Sequence, residues 1–173
     1  MSPLGARSAA GTSALLLTAT VAGGCASGPE DGAAALRQRP SIEEISDRYG
    51  RMQQELRDRL AAELGVSAWV NDGEASRAGC ADFPGIQEAE SRTLDRWTYE
   101  ANIADERWPE AVRVAAEVTA GYGFGAPRPV VDRPDDHEVE ATDGFAAVYR
   151  FGTAKNTILS LSTGCHLPQG SLG

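Results

Sequence analysis

The sequence predicts a single two-layer α+β domain, with two helices packed on one face of a mainly antiparallel sheet. Three observations predict it. Apolar residues recur in steps of three and four from Ile42 to Leu64, and a shorter helical repeat follows Pro109. The last third of the chain then alternates apolar and polar residues between turn-forming pairs.

The chain opens with a targeting segment. Arg7 precedes the apolar run Ala14-Leu15-Leu16-Leu17-Thr18-Ala19-Thr20-Val21, which closes on Ala22-Gly23-Gly24-Cys25. Residues 1–24 therefore read as a secretory signal peptide. The ending is similar to the lipobox of bacterial lipoproteins, in which the cysteine takes a diacylglyceryl group, gains palmitate and becomes the new N-terminus. It departs from the commonest form in having Ala22 three residues before the cysteine, where Leu is usual, and a single positive residue. An ordinary signal cleavage that leaves Cys25 as a free thiol is the alternative. No apolar run reaches the roughly 18–20 residues of a spanning helix, so the expected membrane link is the lipid on Cys25.

Residues 25–40 carry almost no apolar bulk and read as a flexible tether behind the lipidated cysteine, with a reach of about 20 Å. The domain proper is expected over 41–168, followed by a C-terminal tail, 169–173. Ser41-Ile42-Glu43-Glu44 has the form of a capping box opening the first helix. Ile42, Ile45, Tyr49, Met52, Leu56, Leu60 and Leu64 form one stripe, and Gly65 supplies a left-handed cap. Glu44–Arg48, Asp47–Arg51 and Glu55–Arg59 are spaced as ion pairs on the opposite side.

Ser67 to Asp72 reads as a short strand stopped at Asp72-Gly73, with a second piece through Arg77-Ala78-Gly79-Cys80. A polar linker leads to Arg96–Ala101, where Trp97, Tyr99 and Ala101 share a face. Pro109 suits the first position of the second helix, whose stripe is Val112, Ala115, Ala116, Thr119 and Tyr122. Gly121-Tyr122-Gly123-Phe124-Gly125 closes that helix, so it is not a nucleotide loop, which would open one. Val130-Val131 begins the strand-rich third. His137–Thr142 follows, Asp143-Gly144 forms a two-residue hairpin turn into Phe145–Phe151, and Lys155-Asn156 turns into Thr157–Cys165. Four to six strands are expected in all.

Cys80 and Cys165, in an exported chain, suggest one disulfide closing a loop of about 85 residues, worth roughly 4–5 kcal/mol in the loop-entropy treatment. Two buried thiols, or a catalytic thiol beside His166, are the alternatives. Alternation places Cys165 in phase with Leu159 and Leu161, where the bridge would be buried. The chain has two histidines, no Gly-x-Ser-x-Gly elbow and no His-Glu-x-x-His helix. Asp132-Arg133-Pro134-Asp135-Asp136-His137-Glu138 is dense in oxygen ligands, but Pro-Asp-Asp between strands is ordinary turn chemistry. Trp69, Trp97, Trp108, Tyr99 and Tyr149 either line one pocket or supply the bulk of the core, the second being preferred. No catalytic residue, metal ligand or cofactor is assigned.

Tyr49-x-x-Met52-Gln53-Gln54-Glu55, Trp69-Val70-x-Asp72-Gly73, Ser76-Arg77-Ala78-Gly79-Cys80-x-Asp82-Phe83 and Trp108-Pro109 together resemble the LppA-like lipoproteins of mycobacteria and related actinobacteria. So do Gly123-Phe124-Gly125-Ala126-Pro127, Asp136-His137-Glu138, Phe151-Gly152-Thr153-Ala154-x-Asn156-Thr157-Ile158-Leu159-Ser160 and Thr163-Gly164-Cys165-His166-Leu167-Pro168. The likeness runs over about residues 40–168. It implies a lipid-anchored protein on the extracytoplasmic face of the cell membrane and brings no catalytic motif. The expected function is non-enzymatic binding of an envelope protein, lipid or glycan, with no nucleic-acid partner; the acidic balance, a formal net charge of −9, opposes the latter. A small-ligand or metal-dependent hydrolytic enzyme is the alternative, and a structural surface protein without a ligand a third reading.

Overall fold

Helix α2, Ile42–Leu64, organises the core. Ser41 caps it as expected: its hydroxyl accepts from Glu44 N at 3.2 Å, and Glu44 Oε2 accepts from Ser41 N at 2.9 Å. Gly65 ends it in the left-handed region at φ 69°. All seven stripe residues are buried, and Tyr49 donates a hydrogen bond to Asp143. The expected surface ion pairs are replaced. Glu44 is committed to the cap, Glu55 accepts from Tyr122 Oη at 2.9 Å, and Arg59 pairs with Glu63 and with Glu117.

The computed structural model describes residues 29–171. Cys25 and the signal segment lie outside the described residues. The flexible-tether expectation is corrected for the part that is described. Pro29–Arg37 forms a helix, α1, and its Leu36 is fully buried against Ala89 and Leu167. Leu36 is the buried anchor of an otherwise alanine-rich segment, contributing about 1.5–3 kcal/mol, and Gly32 lets the helix lie close to the Phe83 and Ile86 side chains. Among the described residues there are therefore three α-helices, the third, α3, at Trp108–Ala120. The buried face of α3 is Trp108, Ala111, Val114, Ala115, Val118 and Thr119. It is rotated from the expected stripe, leaving Val112 and Ala116 half-buried.

The sheet is antiparallel throughout and has eight strands: β1 Val70–Gly73, β2 Ser76–Gly79, β3 Glu90–Thr93, β4 Arg96–Tyr99, β5 Arg128–Arg133, β6 Asp136–Thr142, β7 Val148–Thr153 and β8 Thr157–Ser162. They lie in six rows. β3 and β4 both pair with β8, interrupted at Leu94-Asp95, and β1 and β2 pair with β4 and β3 respectively. β7, β6 and β5 complete the order. β3 was hidden in the polar linker, because its residues are held by pairing across the sheet rather than by an apolar face of their own.

Two expectations near the sheet ends change. The Asp143-Gly144 hairpin is a longer loop, 143–147, in which Asp143 Oδ1 accepts from Phe145 N (2.8 Å) and Ala147 N (2.9 Å), and Ala146 rather than Gly144 takes a positive φ. Strand β8 stops at Ser162, so Cys165 lies beyond it and is half-buried rather than on the core face. Residues Gln169–Ser171 form a short 3-10 turn within the predicted tail. Among the described residues no helix is long and apolar enough to cross a membrane.

Candidate functional site

The two histidines define the places where chemistry could reside, and the fold separates them. His137 sits on the inward face of β6 and is 8% exposed. Its Nδ1 donates to Asp132 Oδ1 at 2.9 Å and its Nε2 donates to Asp105 Oδ1 at 3.1 Å. Asp132 comes from the paired edge strand β5, across which it faces His137; Asp105 comes from the turn that leads into α3. The same Asp105 oxygen accepts from Asp135 N at 3.0 Å. Trp108 stacks on the imidazole, with centroids 5.5 Å apart and planes 13° apart, and in turn stacks on Phe151.

Donation from both ring nitrogens requires both protons, so this arrangement favours the imidazolium. Burial pulls the His137 pKa down, but the hydrogen bonds and charges of Asp105 and Asp132 outweigh it and hold it above the ordinary histidine value. Asp105 is correspondingly lowered, by the Asp135 amide first and by His137 second. The ring thus joins the β5–β6 hairpin to the approach of α3, and neither nitrogen points to open solvent.

His166 is fully buried near the N-terminal end of α2. Its Nδ1 donates to the Pro40 carbonyl at 2.9 Å, its ring meets Phe145 edge-on at 5.4 Å, and burial lowers its pKa. Its Nε2 has no protein partner. The neighbouring Cys165 is bonded to Cys80, with Cα atoms 5.9 Å apart. The expected disulfide is therefore present, and the sulfur beside His166 is not a thiol. Among the described residues, no group of three or more His, Cys, Asp or Glu side chains could hold a metal ion. The expected aromatic set goes to the core: Trp108 and Tyr149 are buried, and Trp69, Trp97 and Tyr99 pack against it half-buried.

The outward face of the sheet carries an open concavity of about 290 Å³. Gly152 opens it; a Cβ there would lie 3.0 Å from the His137 carbonyl oxygen and 3.3 Å from Glu138 Cβ. Arg96, Glu138, Arg150, Ile158 and Ser160 surround the gap. Its cations are already paired, Arg150 with Glu140 at 2.9 Å and Arg96 with Asp72 at 3.0 Å. The surface therefore offers alternating donors and acceptors around one exposed isoleucine, with little net charge.

The sequence pointed to His137 and its acidic neighbours, yet Asp105 and Trp108, its other partners, lie about thirty residues upstream with no local signal. A family profile described as a lipoprotein confined to pathogenic Mycobacterium matches residues 29–169. The chain belongs to the LppA family. Its fold is similar to that of the crystal structure of LppA from Mycobacterium tuberculosis, with a TM-score of 0.67 and 17% identity over 81% of this chain and 86% of that one. It is also similar to a DUF4853 family protein from Actinomyces odontolyticus, with a TM-score of 0.57 and 17% identity over 76% and 72% of the two chains. At such identities the likeness speaks for the fold alone. No curated protein matches the sequence. The LppA profile begins at Pro29, the first residue of α1, so the docked helix belongs to the family domain rather than to a spacer.

Proposed function

We propose that this LppA-family chain is an envelope lipoprotein, held at the extracytoplasmic face of the cell membrane by a lipid on Cys25, whose domain works by non-enzymatic binding. The anchor reading is supported by the small-residue ending Ala22-Gly23-Gly24-Cys25 and by membership of a lipoprotein family. The observation that carries the binding reading is the state of His137. Both its nitrogens are engaged by carboxylates under an indole, which is a packing role and leaves no ring nitrogen for a substrate. The concavity around Gly152 is the surface best suited to a polar ligand, because its paired charges can be shared with hydroxyl or amide groups without desolvating a lone ion.

A hydrolytic enzyme would draw on the Asp132–His137–Asp105 set, the one place where a histidine meets carboxylates among the described residues. One comparison separates the two readings. The lipidated protein is used to capture material from envelope extracts, alongside an Ile158→Trp variant that fills the concavity from an exposed lining position. A glycan, lipid or protein retained by the native protein and lost by the variant supports binding. Turnover of ester, peptide or glycoside reporters that disappears in His137→Gln would overturn it.

A further inference from the structure

Helix α2 is the longest helix among the described residues. Its 23 residues span about 34 Å at 1.5 Å per residue, and different groups gather at its two ends. At the N-terminal end, Ile42 N donates to the Leu167 carbonyl at 2.9 Å, and His166 reaches Pro40. Here α1 packs through Leu36 beside the Cys80–Cys165 bridge. At the C-terminal end, Arg107 donates to the carbonyls of Glu63 (3.2 Å) and Leu64 (3.4 Å). That contact brings in the approach of α3, where Asn102 donates to the carbonyls of Asp135 (3.2 Å) and Ala154 (2.8 Å). His137 and the β5–β6 and β7–β8 turns therefore belong to the far end.

The chain between the anchor and this body is short. Cys25 precedes Pro29 by four residues, and four Cα–Cα steps reach at most about 14 Å in any conformation. From α1 onward there is no slack. Leu36 is fully buried, and a Cβ on Gly32 would already lie 3.3 Å from the Phe83 ring. Arg39 donates to the carbonyls of Cys165 (2.8 Å) and Phe145 (3.3 Å) and lies over the Phe83 and Phe145 rings. A lipid on Cys25 would thus hold one particular end of the domain at the bilayer.

We propose that the α1 end, comprising α1, the 81–88 loop and the disulfide, rests on the lipid headgroups, while His137 and the 134–135 and 154–156 turns are held on the order of 30 Å farther out along α2. This orientation rests on the reading of Cys25 as the lipidated residue. The surface chemistry fits resting rather than insertion. The exposed large apolar side chains among the described residues, Val70, Val130 and Ile158, are all on the sheet. Around α1 the exposed charges are mixed and lean acidic, with Asp31 and Arg37 on the helix and Asp82 and Glu88 on the loop, so attraction to anionic lipid is not what sets the orientation.

The test uses full-length lipidated protein in phosphatidylcholine vesicles that carry a headgroup-attached quencher. A fluorophore is placed on one introduced thiol, Gln87→Cys or Lys155→Cys, both at exposed positions. With Cys80 and Cys165 bonded and Cys25 acylated, the introduced thiol is the one that labels. Quenching at position 87 is expected to exceed that at 155 by about five-fold or more, because about 30 Å along α2 separates the two ends. The ratio should hold between about 0.1 and about 0.5 M salt. Inserting about 20 Gly/Ser residues after Ser27, with a coil dimension of about 25 Å, should bring it close to one. Equal quenching in vesicle-bound protein without the insert, or stronger quenching at 155, overturns the orientation while leaving the anchor in place. Lipidated protein that does not float with the vesicles overturns the anchor, and the orientation with it.

Discussion

Trp108 lies almost parallel to His137, with ring centroids 5.5 Å apart and planes 13° apart, and it closes the side of an imidazole held at both nitrogens by Asp132 and Asp105. A tryptophan face stabilises a cation, and the two carboxylates do the same from the ring edges. The cluster joins three parts of the chain that have no local reason to meet.

That relationship makes stability depend on pH with a definite sign. The folded pKa of His137 is raised, so its contribution is complete below the unfolded value of about 6.5 and is lost as pH rises through the folded value. His137→Gln should therefore cost most at about pH 5.5 and progressively less toward pH 8.5. Thermal melts of both proteins across that range would check it; a difference that grows with pH would contradict the imidazolium assignment.

Leu36 decides whether α1 is part of the domain. Leu36→Ala removes a fully buried side chain and should cost about 2–4 kcal/mol in denaturant unfolding, with faster amide exchange along residues 31–37. A loss below about 0.5 kcal/mol, the range of an ordinary surface substitution, would mean that this stretch behaves as a tether after all.

The Cys80–Cys165 bridge joins residues 85 apart in sequence. Reduction, or the double change Cys80→Ser with Cys165→Ser, should lower stability by up to about 4–5 kcal/mol in the loop-entropy treatment. Exchange should rise first in α1 and the 81–88 loop, which pack beside the sulfur atoms. Thiol counting on the unreduced protein should find neither cysteine free.

Two glycines should respond in opposite directions to alanine. A Cβ on Gly164 would lie 1.7 Å from the Phe145 carbonyl oxygen, a backbone atom that cannot step aside, so Gly164→Ala should cost about 3 kcal/mol or more. Gly50 is exposed inside α2 with nothing within 4 Å of its Cβ position, so Gly50→Ala should add about 0.5–1 kcal/mol. Melting temperatures of the two variants would show the contrast.

Much of the fold was legible because its signals are local. The α2 stripe and both of its caps follow from spacing and from Ser41, Glu44 and Gly65, and β6 and β8 show their alternation directly. β3 was not legible. Glu90 and Arg92 are polar, and their positions are fixed by hydrogen bonds to His166 and Thr163, more than seventy residues away. The hairpin at Asp143 failed for a related reason: the Asp143 side chain organises the longer loop by accepting two amides, and Tyr49 of α2 donates to it as well.

The sequence by itself determined that the chain has one acidic α+β domain, a signal-like segment ending at Cys25, and two further cysteines suited to pairing. Periodicity, capping and composition act over a few residues, so a single sequence exposes them. Only the tertiary structure decided that α1 docks, that Asp105 and Trp108 complete the His137 cluster, and that Gly152 opens the outer face of the sheet. Each depends on a contact between residues distant in the chain, whose free energy appears only once the whole core has brought them together.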